Sequence, residues 1–507
     1  MYRILSASKD TYITNRIINN SFRAKDANVG QAGTLDLFKL YNETTLTGST
    51  GQVELSRILL KFDLDIITTM QSQGKIDMND SSFKCFLKLH DVYGGQTTPS
   101  NFDLVVFPLS QSFDEGLGYD ISEFQDIDAS NFVTASIRNG SPVLWKTEGA
   151  MSSGSLGSDV DVITSGTLAF YKSTSALTSL SPTQRFLDGI EDLHIDITKV
   201  VSGTCSGQLD NHGFLIAYSG SYETNKKSYF VKRFASRNSA NTAIRPKLIV
   251  KYDDSIHDNH QDFIFDVTSS LYLNNFHYDA GANILSGASA TALTGENCMV
   301  VKIESGSFKK TFNVSQALRG TNRLTGIYSS SFAISSFNTT LRSHILDSGS
   351  ITFKEIWSTS NEKATYLSSS LTISNNKRHS YENIHQNLLV SVINLNEEYK
   401  SGDIIKLRVF SENRNRDIAF KKKPYEKKSQ IYHEMYYRVR DFQTDDIIVP
   451  FDSSGKSTRL STDSSGMYFE FYVDSLPMGR TYVFDFLIKK NGFDTIITDA
   501  ASKFRVV

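Results

Sequence analysis

Residues 229–252 read Tyr-Phe-Val-Lys-Arg-Phe-Ala-Ser-Arg, then a short Asn/Ser/Thr/Ala stretch, then Arg-Pro-Lys-Leu-Ile-Val-Lys-Tyr. Val231, Arg233 and Ala235 alternate with Phe230, Lys232 and Phe234. That two-residue period belongs to a strand with one buried face. A loop over 238–243 follows, and Ile244 to Tyr252 reads as a closing strand. Pro246 stands near its start, where a missing N–H harms a ladder least. The same alternation returns at Phe86–Asp91 and Phe102–Phe107, and again in the Tyr468–Val473 stretch. In that last stretch Phe469, Phe471 and Val473 form one face and Tyr468, Glu470 and Tyr472 the other, as in a half-solvated strand. Helical pattern is scarce: one short segment from Asp65 to about Gln73, and one start at Ser181-Pro182, a cap followed by proline.

A chain of 507 residues is too long for a single core, and two to four domains are expected. Many short strands with Gly/Ser-rich loops, such as 152–166, favour sandwiches or jelly rolls. The polar segment 253–260 marks a first boundary and 374–378 a second. The expected architecture is all-β: tandem β-sandwiches with a large jelly-roll-like domain over 1–253 and two smaller immunoglobulin-like sandwiches over 261–374 and 381–507.

Composition narrows the function classes. Lys+Arg 53 against Asp+Glu 55 leaves a net charge of -2, which argues against nucleic acid and anionic membranes as partners. Apolar runs such as Phe214-Leu215-Ile216-Ala217-Tyr218 fall far short of the ~20 residues of a spanning helix, and no basic-then-apolar leader opens the chain. Cys85, Cys205 and Cys298 are odd in number and widely spaced, so neither a disulfide framework nor a zinc pair is expected. Synthesis and assembly in a reducing cytoplasm suit such a chain.

Chemistry-bearing motifs are thin. Gly455-Lys456-Ser457 has the end of a phosphate-binding loop, but Pro450 stands where its first glycine belongs, so a hairpin turn is preferred. Gly154-Ser155-Leu156-Gly157 misses a nucleophile elbow by one position. His257 and His260, with Asp254 or Asp258, offer metal ligands, but their polar surroundings favour a solvated linker. Asp114 and Glu115 are adjacent, which on a strand points them to opposite faces and excludes an acid/base pair. The expectation is a non-enzymatic protein with no cofactor.

Two surface features remain. Arg414, Arg416, Lys421, Lys422, Lys423, Lys427 and Lys428 form one basic run, interrupted by Asp417 and Glu426 and carrying Phe420 and Tyr425. It reads as a solvated hairpin, or as a docking loop for an acidic partner, with nucleic acid the least favoured of the three. Tyr93, Tyr119, Trp145 and Tyr222 are candidate glycan contacts, since sandwiches include carbohydrate-binding modules.

Several segments of the first half carry a resemblance. Asp10-Thr11-Tyr12-Ile13, Asn28-Val29-Gly30, Arg57 to Asp63, Phe113-Asp114-Glu115-Gly116, Asp192 to Val200, Asn211-His212-Gly213-Phe214, Ser236-Arg237 and Arg245-Pro246-Lys247-Leu248 occur in order. Together they resemble the DNRLRE-type (disaggregatase-related) β-sandwich family. With the chain beyond residue 253, the sequence is similar to structural proteins of tailed bacteriophages. The resemblance implies a component of the tail, neck or baseplate of a virion, assembled in the host bacterial cytoplasm, present as a homo-oligomer or in multiple copies around a symmetric particle and contacting other virion proteins. The alternative is a glycan-binding adhesin or receptor-binding fibre component. Within the first domain Arg57, Arg237 and Arg245 are candidates for a glycan or phosphate site, with pairing to Asp63, Asp10 or Asp192 preferred.

Overall fold

A computed structural model gives the fold of the chain. It describes all residues except 45, 47–51, 123–127, 169–176, 279, 288–289, 376–387, 414–428 and 491, and not the side chains of 280, 413 and 499–502. The chain is all-β and divides into two compact units. One comprises Arg3–Gln71 and Phe83–Lys251; the other comprises Met1–Tyr2, Ser72–Ser82 and Tyr252–Val507.

The first unit is built on a ten-stranded sheet. Its order is Thr183–Phe186, Phe102–Pro108, Phe214–Tyr218, Val53–Phe62, Tyr2–Thr14, Lys247–Lys251, Lys84–Leu89 and Leu193–Asp196, and Thr34–Tyr41 joins Tyr229–Ala235 to Val53–Phe62. The apolar positions of the alternating stretches fill the interior: Leu59, Leu87, Leu89, Phe102, Leu215 and Phe234 are all fully buried. The helix Asp65–Ser72 forms where the sequence places one. The helix start at Ser181-Pro182 does not. Thr183–Phe186 is instead a strand paired with Phe102–Pro108, because Phe186 must stack on Phe102 with ring centroids 5.0 Å apart. A short helix lies at Thr198–Cys205, with the Asp196 carboxylate accepting the Thr198 N–H at 2.8 Å. The Gly/Ser-rich loop is partly ordered into strands as well: Ser153–Ser155 runs parallel to Val162–Thr167.

The second unit contains two sandwiches. In the first, strands run in the order Ser269–Asn274, Asn322–Phe332, Phe308–Arg319, Met299–Ser305, Ser350–Thr359, Thr365–Ser374. The long strand Phe308–Arg319 pairs with Met299–Ser305 along its first half and with Asn322–Phe332 along its second, so it passes from one layer to the other. Between the layers lie Phe263, Phe265, Met299, Tyr328, Phe353, Trp357 and Leu371. The last sandwich packs a four-stranded sheet (Leu388–Val392, Ile404–Asn413, Gly466–Tyr472, Ser461–Asp463) with a five-stranded one (Glu398–Tyr399, Phe493–Val506, Thr481–Lys490, Met435–Asp441, Ile447–Val449). Its core is aromatic: Tyr437 stacks on Phe469 at 4.4 Å and Phe484 on Phe504 at 5.0 Å. Edge and offset ring packing of this kind adds about 0.5–1.5 kcal/mol per pair beyond area burial.

The polar segment 253–260 is not a solvated linker. Asp258 is buried, and its N–H donates to Thr462 Oγ1 at 2.8 Å while Thr462 Oγ1 donates back to its carbonyl at 3.0 Å. Backbone groups that cannot reach water need such partners, and the Ser461–Asp463 strand supplies them. Among the described residues no helix is long and apolar enough to cross a membrane.

Candidate functional site

Several residues of the segments Asp10–Ile13, Asn28–Gly30, Phe113–Gly116 and Ser236-Arg237 converge although they are far apart in sequence. The Asp10 N–H donates to Glu115 Oε1 at 2.9 Å, and Arg237 Nε donates to the same oxygen at 2.6 Å. The Arg237 N–H donates to Asp10 Oδ2 at 2.5 Å. Asn28 Nδ2 donates to the carbonyls of Glu115 and Ser130, and Asn28 Oδ1 accepts the N–H groups of Gly30 and Gly118. Only glycine fits at 118, since a Cβ there would stand 1.8 Å from the Asn28 carbonyl oxygen. Burial pushes the Asp10 carboxyl up to about 7, against the Arg237 N–H that favours its charge. This is a brace that ties the opening strand, two turns and the segment after Tyr229–Ala235 together.

Two further braces cross the same unit. Arg57 forks onto Glu223 (Nη2–Oε2 2.5 Å, Nε–Oε1 3.0 Å), while its other nitrogen donates to the carbonyls of Gly149 and Ala150. Lys232 is fully buried and donates to Asp91 at 2.5 Å and to the carbonyls of Gly189 and Glu191 at 2.9 and 2.8 Å. All three donors of the ammonium are thereby satisfied. The arginines do pair, but the guanidinium partners are Glu223 for Arg57 and Glu115 for Arg237, and Arg245 Nε donates to the Ser239 carbonyl at 3.0 Å. Asp63 and Asp192 take none of these guanidinium bonds; Asp192 instead accepts from His90.

The four candidate glycan aromatics do not form one platform. Trp145 is buried at 4% exposure among Ile13, Leu59, Val105 and Leu215, and its indole N–H donates to the Asn131 carbonyl at 2.9 Å. It is a core side chain and presents no face to a sugar. Tyr222 is half-buried, with its hydroxyl bonded to Arg185 and its ring against Tyr229. Tyr93 and Tyr119 are open, at 65% and 66% exposure. The basic run Arg414, Arg416, Lys421, Lys422, Lys423, Lys427 and Lys428 lies outside the described residues.

The other motif candidates are accounted for locally. At Gly455-Lys456-Ser457 the Asp452 carboxylate accepts the Gly455 N–H at 2.9 Å and the Ser457 hydroxyl at 2.6 Å, so the donors a phosphate would use are taken and the segment is a turn. Asp114 accepts the Ile137 N–H at 2.9 Å and is separated in role from Glu115. Cys85 and Cys205 are buried and Cys298 partly so, all three as free thiols.

The histidines sit differently from each other and from a ligand pair. His260 Nδ1 faces the Asp258 carboxylate, and its Nε2 lies 3.0 and 3.1 Å from the two oxygens of Glu355, which also accepts the Trp357 indole N–H. Burial opposes the imidazolium, but the hydrogen bonds and charges of Asp258 and Glu355 outweigh it and raise His260 to about 10. His257 goes the other way. Burial first, then Arg459 and His433, hold it down to about 3, and neither ring nitrogen has a partner among the described residues. Its neighbour His433 pairs with Asp262 at 2.8 Å. No group of three or more His, Cys, Asp or Glu among the described residues is arranged to hold a metal ion.

In the second unit the outer face of the strand Gly466–Tyr472 departs from a half-solvated one. Tyr468 and Tyr472 are each 6% exposed, and only Glu470 between them is open. They wall a cleft of about 500 Å³ together with Lys406, Phe276 and Asp254. Lys406 lies over the Tyr468 ring at 3.8 Å, a cation–π contact that closes that ring face to a ligand.

No family model matches the chain, and no curated protein matches it. Among solved structures it is similar to a titin fragment, titin-A168169 (8% identity, TM-score 0.15, covering 50% of this chain and 94% of that one). It is also similar to the N-terminal Ig1-2 module of the Drosophila receptor protein tyrosine phosphatase DLAR (10% identity, TM-score 0.13, 47% and 90%). A biofilm associated protein, BSP domain, aligns over 99% of this chain and 90% of its own length at 8% identity and a TM-score of 0.16. Likeness at these scores carries no functional argument. The class the sheets themselves define is a tandem β-sandwich protein.

Proposed function

We propose that this chain is a structural, non-enzymatic component of a tailed phage particle, in its tail, neck or baseplate, and that it acts through protein–protein contacts. What carries the proposal is the use made of the motif residues. Asp10, Glu115 and Arg237 are spent on one another, and Arg57 is spent on Glu223. Groups committed in this way stiffen a sandwich and leave no free nucleophile or general base among them. The phage assignment rests on the sequence resemblance, and several copies around a symmetric particle would follow from it. The basic run Arg414–Lys428 keeps its proposed role as a docking segment for an acidic neighbour. The test is a denaturing gel of purified particles: a band near 56.7 kDa, identified by peptide mass, is expected. Its absence from particles made in the same cells removes the assignment.

A second reading is favoured by Tyr93 and Tyr119, two open rings on the large unit. Exposed aromatic faces can stack on sugars, and a host-surface glycan would then be a ligand. Saturable binding on a glycan array that is lost in Tyr93→Ala/Tyr119→Ala supports it, and a blank array removes it.

A further inference from the structure

The strand Thr365–Ser374 closes one side of the six-stranded sheet, and among the described residues its outer edge is covered only at Ser374. Its main-chain direction is fixed at one end. The Ser374 N–H donates to the Phe263 carbonyl and its carbonyl accepts the Phe265 N–H, so both groups point away from the neighbouring strand Ser350–Thr359. Antiparallel pairs alternate between bonded and non-bonded positions, so Thr372, Ser370 and Ser368 also point their N–H and C=O outward. Among the described residues nothing bonds those groups. The residues 365–374, Thr-Tyr-Leu-Ser-Ser-Ser-Leu-Thr-Ile-Ser, include neither a charge nor a proline.

Three other outer strands carry a cap or charges. The opposite edge of the same sheet is capped by Asn259, whose N–H donates to the Ser270 carbonyl and whose Oδ1 accepts the Ser270 N–H. In the large unit Gln184 Oε1 covers the edge strand Leu193–Asp196 at His194, at 2.7 Å. The long strand Phe493–Val506 of the last sandwich, paired on its outer side with Glu398–Tyr399 at Arg505 and Val506, carries Asp494 and Lys503. Charges, prolines and caps are the usual means by which an edge refuses a second strand; among the described residues the stretch 365–373 has none, the cap from Phe263 and Phe265 reaching Ser374 alone.

We propose that this edge pairs antiparallel with the same strand of a second copy, across a two-fold axis at Ser370, to make one continuous sheet. The free groups are self-complementary about that point: Ser370 meets Ser370, and Ser368 meets Thr372, in the bonded pairs. The register stops short of Ser374, whose main chain is already used. In the intervening pairs, where side chains come closest, Leu367 meets Ile373 and Ser369 meets Leu371. Leu367 is 39% exposed while Leu371 and Ile373 are buried in the core, so the pairing covers the one apolar side chain that overhangs. An uncharged strand also pairs with itself without like-charge repulsion. The pairing deepens the assembly function proposed above by naming one partner, a second copy of the chain.

Cysteine placement tests the register. Directly opposed residues of a bonded pair have Cα atoms about 5.5 Å apart, within the span of a disulfide. In a Cys298→Ser background, Ser370→Cys should cross-link to dimer under mild oxidant. Ser368→Cys should not, because its counterpart lies about 14 Å along the partner strand. Sedimentation of the full chain over a range of concentrations should show a reversible dimer, and Ser370→Pro should raise its dissociation constant at least tenfold. That proline removes an N–H that points outward, so the melting temperature should hold. A monomeric chain at every concentration, unchanged dimerisation of Ser370→Pro, or equal cross-linking of both cysteines overturns the pairing. A monomeric chain still found in particles overturns the pairing alone; a dimer absent from particles overturns the particle role alone.

Discussion

In the large unit, long charged side chains run inward: Arg57 to Glu223, Arg237 to Glu115, and Lys232, fully buried, to Asp91. In the sandwich of residues 263–374, the outer strand Thr365–Ser374 has no charged side chain, and its outward main-chain groups have no bonding partner among the described residues. The two arrangements have opposite energetics. Breaking a buried pair leaves an uncompensated charge and costs about 3–5 kcal/mol, whereas an exposed edge contributes little to the fold that carries it. The first region is therefore built to keep its shape, and the second has bonding capacity left for something outside the sandwich.

The largest effect should come from the buried pair. Lys232→Met strands Asp91 and should cost about 3–5 kcal/mol in denaturant unfolding of the full chain. Lys232→Met/Asp91→Leu should recover a good part of it. An effect below about 1 kcal/mol would break the contrast between the braced unit and the open edge.

Trp145 sharpens the same contrast. As a core ring it should cost about 3–4 kcal/mol when changed to Ala, with lost packing rather than lost glycan binding as the cause. Near-native stability of Trp145→Ala would show the ring to be more open than 4% exposure implies.

The histidine clamp gives the next effect, with a pH signature. His260 is raised from 6.5 to about 10, so its contribution to stability is complete below about 6.5 and is lost as pH rises through about 10. His257 is depressed to about 3, so its contribution is present above about 6.5 and is lost as pH falls through about 3. Glu355→Gln should destabilise the second unit by about 1–3 kcal/mol at pH 6 and by less at pH 10, measured as paired melts. An equal loss at both values would mean that His260 is not held protonated.

The smallest effect belongs to the edge. Ser370→Pro should change the stability of the isolated chain by no more than about 0.5 kcal/mol, and Thr372→Lys, which loses one exposed cross-strand bond to the Thr352 hydroxyl, by no more than about 1 kcal/mol. A large loss in either would place the strand inside the fold rather than at its margin.

The strands were legible in the sequence wherever one face is buried, because the two-residue period survives without knowledge of partners. What could not be read were contacts made at long range. Trp145, between Leu144 and Lys146, looks like a surface aromatic until Ile13, Leu59 and Val105 close over it. The stretch 253–260 has the composition of a loop, and its burial depends on Glu355 and Thr462, far along the chain. Arg57 was expected to pair nearby with Asp63, yet Glu223 is the carboxylate the topology brings to it. The segment Thr365–Ser374 reads as a strand from its own residues, but its place at an edge is a property of strand order alone.

The most direct measurement is residue-resolved amide exchange of the chain free in dilute solution and within purified particles. In the free chain the amides of Ser368, Ser370 and Thr372 should exchange quickly, while those of Leu59 and Leu60, paired inside the large sheet, stay protected. In particles the three edge amides should become protected and the interior amides should not change. Fast exchange at Ser368, Ser370 and Thr372 in both states, with protection gained elsewhere, would contradict an edge that docks.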